Sequence, residues 1–222
     1  MLLMSTLAFT VCFAAWMLNG VLVTHLTVNQ VFNWSASEIG WLLGIPVLTG
    51  SIFRLPAGVL TDKFGGKPVF TALLLFCALP MFLLSQANSY WTFALCSFGF
   101  GLVGVSFSIG IAYTSVWFPK NRQGLALGIF GAGNAGSALT TLIAPTLLDR
   151  FTEHGQNVEG WRTLPVVYAV ALVAMGVVFY AATTNKKPQS AVKTVAQQLE
   201  PLKDIRVWRF GLPAIGVFAT VQ

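Results

Sequence analysis

Long apolar runs separated by short polar connections dominate the chain, and their lengths predict membrane-crossing helices. The hydrocarbon core of a bilayer takes about 20 apolar residues of helix. Six runs meet that requirement: Leu3–Leu26, Ile39–Thr61, Val69–Gln86, Trp91–Phe118, Gly124–Leu148 and Leu164–Thr183. A seventh begins near Trp208 and stops at Gln222, too short to cross. The first run lacks a basic stretch ahead of it and is long enough to span, so it reads as a helix and not as a cleaved leader. The chain starts almost inside this helix, as expected if its true amino terminus lies further upstream.

The connections differ in charge, and the difference orients the spans. Lys63 and Lys67 lie between the second and third, and Lys120 and Arg122 between the fourth and fifth. Lys186, Lys187, Lys193, Lys203, Arg206 and Arg209 follow the sixth. The opposite side has Arg150 and Arg162 beside Asp149, Glu153 and Glu159. Cytoplasmic connections carry the excess of Lys and Arg, so the first set faces the cytoplasm. The expected organisation is a six-span amino-terminal bundle over 1–184, a polar cytoplasmic linker over 185–205, and the start of a truncated second bundle over 206–222. Six spans, a long basic connection and further spans form the layout of a transporter with two repeated halves. The fold class is therefore an all-α membrane protein, multi-pass in a cell (inner) membrane, with the lipid bilayer as its first partner.

Composition narrows the function. Of 222 residues, 55% are hydrophobic and 9% charged, against about 25% charged in soluble domains. The net charge of +6 sits in the connections and forms no basic face with interleaved aromatics, so nucleic acid is not a partner. Cys12, Cys77 and Cys96 all lie inside apolar runs, form no C-x-x-C pair, and read as small packed hydrophobes. The sequence has no metal-ligand cluster, nucleophile–base pair or phosphate loop, which argues against an enzyme and against a metal or cofactor.

Arg54 is the residue that composition does not explain. It lies in the apolar run Ile39–Thr61 with no acid near it inside the run. A guanidinium stays charged in proteins, and placing it at membrane depth costs about 2.5–3.5 kcal/mol on insertion scales. Such a cation needs an anion, and a transported anion is the simplest one. At about 1.5 Å per residue, Arg54 lies about 12 Å from the cytoplasmic end of its span. Phe107 lies at similar depth in the fourth span, and Asn134 lies about 16 Å into the fifth. A cation, an amide and an aromatic ring thus fall in one layer near the midplane, where transporters of this layout hold cargo. His25 and His154 fall near the outer side and read as solvated histidines. The interior of the spans has no Asp or Glu for a proton relay, which leaves proton symport and anion exchange both open.

Two glycine strings, Gly99-Phe-Gly101-Leu-Val-Gly104 and Gly131-Ala-Gly133-Asn-Ala-Gly136, match G-x-G-x-x-G. A dinucleotide site needs a preceding strand and a soluble βαβ unit. Both strings lie inside apolar helices, so close helix contact is the better reading. The pairs Gly104/Ser108, Ala132/Gly136 and Gly133/Ser137 recur four apart, the spacing of touching backbones. Pro46, Pro56, Pro80, Pro119 and Pro145 fall inside or at the ends of spans, where they kink or end a helix.

The turn Gly58-Val-Leu-Thr-Asp62-Lys63-Phe-Gly65-Gly66-Lys67 resembles the signature loop between the second and third spans of the major facilitator superfamily. Gly58 is expected to let a neighbouring helix approach. Asp62 is expected to accept bonds from helix amino termini or basic residues, and Gly65 and Gly66 to allow the reversal. The resemblance implies a gating role for Gly58, Asp62, Lys63, Gly65 and Lys67. The stretches Gly50–Lys67 and Trp117–Gly136 are more specifically similar to the second span and the glycine-rich fifth-span signature of the nitrate/nitrite porter family. That resemblance implies that Arg54 binds the anion, that Phe107 packs on its flat face, and that Asn134 donates a hydrogen bond. It also implies that Gly131, Gly133 and Gly136 line or flex the path. A second anion-binding arginine comes from the other half in that family, so a missing carboxy-terminal half, or a partner supplying it, is expected. Nitrate and nitrite suit the residues: a guanidinium fork offers parallel donors to two coplanar oxygens. The alternatives are a facilitator for another small anion or solute, and a non-transporting truncated fragment.

Overall fold

The computed structural model describes residues 1–187, which form one compact unit of helices. The expected linker beyond Lys187 and the expected start of a second bundle at 206–222 lie outside the described residues. Within the described part, six helical segments are long and apolar enough to cross a membrane. The first three spans are α1 (Leu2–Val28), α2 (Ala36–Phe64) and α3 (Gly66–Leu84). The fourth is α4 (Tyr90–Phe100), a 3₁₀ stretch Gly101–Val105 and α5 (Ser106–Ser115). The fifth is α6 (Gln123–Gly131), a 3₁₀ turn Ala132–Asn134 and α7 (Ala135–Phe151). The sixth enters by a 3₁₀ turn, Val158–Arg162, and continues as α8 (Thr163–Ala182).

Local chemistry sets the ends of these elements. Ser35 opens α2 with a reciprocal cap: its backbone N–H donates to Glu38 Oε2 at 2.7 Å and its hydroxyl accepts from the Glu38 N–H at 3.4 Å. Gly65 closes α2 at φ +90 and the next residue begins α3. A side chain is disfavoured at that φ, so glycine makes the one-residue reversal possible. Both internal 3₁₀ stretches overlap the glycine strings. Glycine is the least rigid helix residue, and a tighter turn there is held by packing against neighbours.

The core runs down the bundle through fully buried Leu18, Leu22, Phe70, Leu74, Phe100 and Phe179. At one end, Tyr113 Oη donates to Met1 Sδ at 3.3 Å and Asn185 Nδ2 donates to the Phe64 carbonyl at 2.9 Å. Lys186 Nζ lies 5.2 Å from the Trp117 ring centroid. The amino terminus, the 2–3 turn, the 4–5 connection and the exit of α8 therefore share the end that the Lys/Arg distribution assigns to the cytoplasm. At the other end, Arg162 ties two connections together. It pairs with Glu159, donates to the carbonyls of Ser85 at 2.7 Å and Ala87 at 3.0 Å, and reaches Asn88 Oδ1 at 2.7 Å.

Some expectations need correction. Among the described residues Gly58 has no close neighbour: a Cβ there meets nothing within 4 Å. The tight pairing in the second glycine string is Gly133 with Gly136, three apart and not four, and Ala132 is exposed. The 3₁₀ turn there shifts the helical phase and brings both glycines onto α1. The prolines fall as expected, Pro46, Pro56, Pro80 and Pro145 within helices and Pro119 in the connection after the fourth span.

Candidate functional site

A column of rings built on α1 fills the middle of the bundle. Phe9, Phe13 and Trp16 recur at helical spacing, with centroids 4.5 Å apart for the first pair and 5.8 Å for the second. Phe9 stacks on Phe130 of α6 at 4.6 Å. Phe107, half-buried on α5, leans on both, at 5.5 Å from Phe9 and 6.1 Å from Phe130. Glycines make the room. A Cβ on Gly104 would overlap the Trp16 ring, and one on Gly110 would overlap Phe130. On the fifth span, a Cβ on Gly133 would lie 2.9 Å from the Thr6 carbonyl oxygen, and one on Gly136 would lie 3.0 Å from Ala14 N. These two residues hold backbone against backbone and do not line an open path. A Cβ on Gly131 would meet nothing within 4 Å among the described residues.

Arg54 is exposed on α2, and among the described residues it has no hydrogen bond or ion pair. The side of the helix it occupies follows from its neighbours. Phe53, Pro56 and Leu60 line an apolar groove shared with Val69 and Phe76 of α3, with a volume of about 570 Å³. Arg54 is not part of that groove. Leu43, three turns earlier on the same side of α2 at about 3.6 residues per turn, lines a cavity of about 760 Å³ at the outer end. The same cavity is walled by Gly20 and Thr24 of α1 and by Thr141 and Pro145 of α7. Asn134 is exposed and precedes Thr141 and Pro145 by about two and three turns, which sets it on the cavity side of the fifth span. Arg54 and Asn134 therefore lie deeper along the two helix sides that wall this vestibule. No hydrogen bond joins Arg54, Asn134 and Phe107 among the described residues. The second and fifth spans are also the least covered, with 28% of each apolar stretch buried against 61% in the fourth.

The vestibule's rim carries the histidines. His154 Nδ1 lies 2.8 Å from Asp149 Oδ2 in an exposed pair, and His25 is half-buried with Nδ1 3.3 Å from Asn29 Nδ2.

The gating-loop candidates gather at the cytoplasmic end. A Cβ on Gly66 would overlap Tyr113, whose hydroxyl donates to the Thr184 carbonyl at 2.7 Å. Lys67 Nζ lies 4.3 Å from the Tyr180 ring centroid and Lys63 Nζ 5.3 Å from that of Phe64. Asp62 is half-buried beside them. Sequence reasoning missed Tyr113, Thr184 and Asn185, which strap the exit of α8 to this turn. No local pattern marks a long-range strap of this kind. It also passed over Asn19, an amide inside the first apolar run, whose position alone was a signal.

A family model described as Major Facilitator Superfamily matches residues 4–221. Among curated proteins, a probable nitrate/nitrite antiporter of Thermus thermophilus is 44% identical over 220 residues, covering 97% of this chain and 49% of its own length. A probable nitrate transporter of Staphylococcus carnosus is 32% identical over 207 residues, 93% of this chain and 51% of its own. A nitrite extrusion protein of Bacillus subtilis is 31% identical over 193 residues, 86% of this chain and 46% of its own. The chain spans about half the length of the curated relatives it matches.

Proposed function

The chain belongs to the Major Facilitator Superfamily, and from that premise we propose that it forms the amino-terminal half of a secondary transporter for nitrate, nitrite or both. It acts in the cell (inner) membrane, is not an enzyme, and works by alternating access, with two bundles rocking about a midplane site. The observation that carries this reading is Arg54: a permanent cation in an apolar helix, without an acid beside it among the described residues, on the side of α2 that walls the vestibule. The names of its relatives supply the cargo class. In this reading Arg54 binds the anion, Phe107 packs on its flat face and excludes water, and Asn134 donates a hydrogen bond. Gly131, Gly133 and Gly136 let the fifth span move. Gly58, Asp62, Lys63, Gly65 and Lys67 form the gate. The second bundle, from a continuing chain or a partner, completes the site.

The test is nitrate uptake into proteoliposomes holding the full-length transporter. Arg54→Ala should abolish measurable uptake. Arg54→Lys keeps the charge but loses the fork, and should lower uptake by at least about tenfold if parallel donors matter, as expected for charge-assisted pairs. Undiminished nitrate uptake in Arg54→Ala removes Arg54 from the site. Uptake of unrelated organic anions with no nitrate uptake assigns the chain to a different cargo.

A further inference from the structure

We propose that Asn19 replaces the backbone donor that Pro46 lacks, and that this side chain acts as a positioning residue for the stretch of α2 that carries Arg54. The positioning half rests on reading Arg54 as an anion ligand, and the ladder-repair half does not. Pro46 sits inside α2 and has no N–H, so the carbonyl four residues earlier, that of Leu42, loses its helical donor. Leu42 is fully buried, and a buried carbonyl left without a donor is costly. Asn19 Nδ2, from α1, donates to that carbonyl at 2.9 Å. Its Oδ1 accepts from Ser97 Oγ of α4 at 3.1 Å. Asn19 is 3% exposed and Ser97 is fully buried.

One amide thus joins three spans at the gap in one helix's ladder. The 3₁₀ backbone of the fourth span presses on the same point. A Cβ on Gly101 would lie 2.6 Å from Pro46 Cα, and one on Gly50 would lie 3.2 Å from the Gly101 carbonyl oxygen and 3.0 Å from Trp16. The stretch Leu42–Gly50 is therefore clamped between the Asn19 amide and Gly101. Arg54 lies about 12 Å beyond Pro46 along the same unbroken helix, at about 1.5 Å per residue. It has no bond of its own among the described residues, so α2 alone sets where its guanidinium stands. Without the amide, the Leu42 carbonyl must turn toward another donor, and α2 turns with it.

The test is a double-mutant cycle. Pro46→Ala restores the N–H at position 46, which makes the Asn19 amide redundant. Thermal unfolding of the 222-residue chain in detergent should show a clear loss in Asn19→Ala, a small effect in Pro46→Ala, and recovery in the double variant. Where Asn19→Ala alone does not fold, the cycle is read from the Pro46→Ala background, in which Asn19→Ala must be tolerated. Additive losses, with no recovery, overturn the ladder repair. Nitrate uptake by the full-length transporter reads the positioning. Asn19→Ala should raise KM by about tenfold or more with a smaller change in kcat, since small displacements of a binding group are costly, and the double variant should return toward the parent. Unchanged KM alongside a positive unfolding cycle overturns the positioning role and leaves a structural one. A parent without nitrate flux points instead to a failure of the transport reading, and the ladder repair then stands or falls on unfolding alone.

Discussion

Gly136 and Gly131 stand five residues apart in one glycine string, yet the same substitution should move stability in opposite directions. A Cβ at Gly136 would lie 2.8 Å from the Thr10 carbonyl carbon and 3.0 Å from Ala14 N, both backbone atoms of α1. Backbone cannot rotate away as a side chain tip does, so α1 and α7 must separate. Overpacking of this kind costs about 1–3 kcal/mol, and an unyielding backbone puts Gly136→Ala at the upper end. The helix-propensity gain of alanine, about 1 kcal/mol, offsets part of it, for a net loss of about 2 kcal/mol. At about 2–4 °C per kcal/mol for a chain of this size, the midpoint should fall by about 4–8 °C. Gly131→Ala meets nothing within 4 Å among the described residues and keeps the propensity gain, so its midpoint should rise by about 2–4 °C. The protein supplies its own probe. Cys12, Cys77 and Cys96 are free and buried, so a thiol-reactive fluorogenic dye reports unfolding of the detergent-solubilised chain. Equal shifts in the two variants, or a neutral Gly136→Ala, would refute the claim that this string is a backbone contact with α1.

Two further outcomes follow from the ends of the bundle. Arg162→Ala removes the donors to the Ser85 and Ala87 carbonyls and to Asn88. It should destabilise by about 1–3 kcal/mol, the usual range for stranded polar groups, in the same dye assay, with Arg162→Lys recovering little because an ammonium does not span three acceptors in a plane. An unchanged midpoint would show that the strap is not formed in detergent. Single cysteines at Lys63 and Lys120 should resist a membrane-impermeant maleimide added to intact cells, and one at Gln156 should react. The reverse pattern would invert the orientation drawn from the Lys and Arg distribution.

The spans were legible because each needs only length and hydropathy, and a lapse of one or two residues at an end changes nothing. Ile39–Thr61 became Ala36–Phe64 once the Ser35 cap and the Gly65 reversal set its limits. The breaks in the fourth and fifth spans were not legible. A glycine string permits a 3₁₀ path without requiring one, and the choice is made by Trp16, Phe9 and the α1 backbone, which come from far away in sequence. The turn at Gly65 was readable because one residue must do one local thing. Gly58 belongs to the same pattern, yet no described neighbour gives it a contact, so its part lies in whatever else α2 meets.

Asn19 and Asn134 show where inference from sequence reaches its limit and what structure adds. Both are amides inside apolar helices, and a buried amide without partners is costly at membrane depth. Depth and the fifth-span resemblance single out Asn134, and nothing local marks Asn19 as a structural amide. The structure divides them by whether their polar atoms are used. Asn19 is 3% exposed, with its amide nitrogen on the Leu42 carbonyl and its oxygen on Ser97. Burial closes it to cargo, and the bonds it makes serve the fold. Asn134 is exposed, and among the described residues its side chain has no hydrogen-bond partner. The same division separates Arg162, whose donors are engaged at the outer end, from Arg54, whose donors are not. Polar groups that the fold has already satisfied hold the bundle together. Polar groups within the spans that it leaves unsatisfied keep their hydrogen-bonding capacity, and under the function proposed above a small planar anion is the guest that a guanidinium and an amide would share.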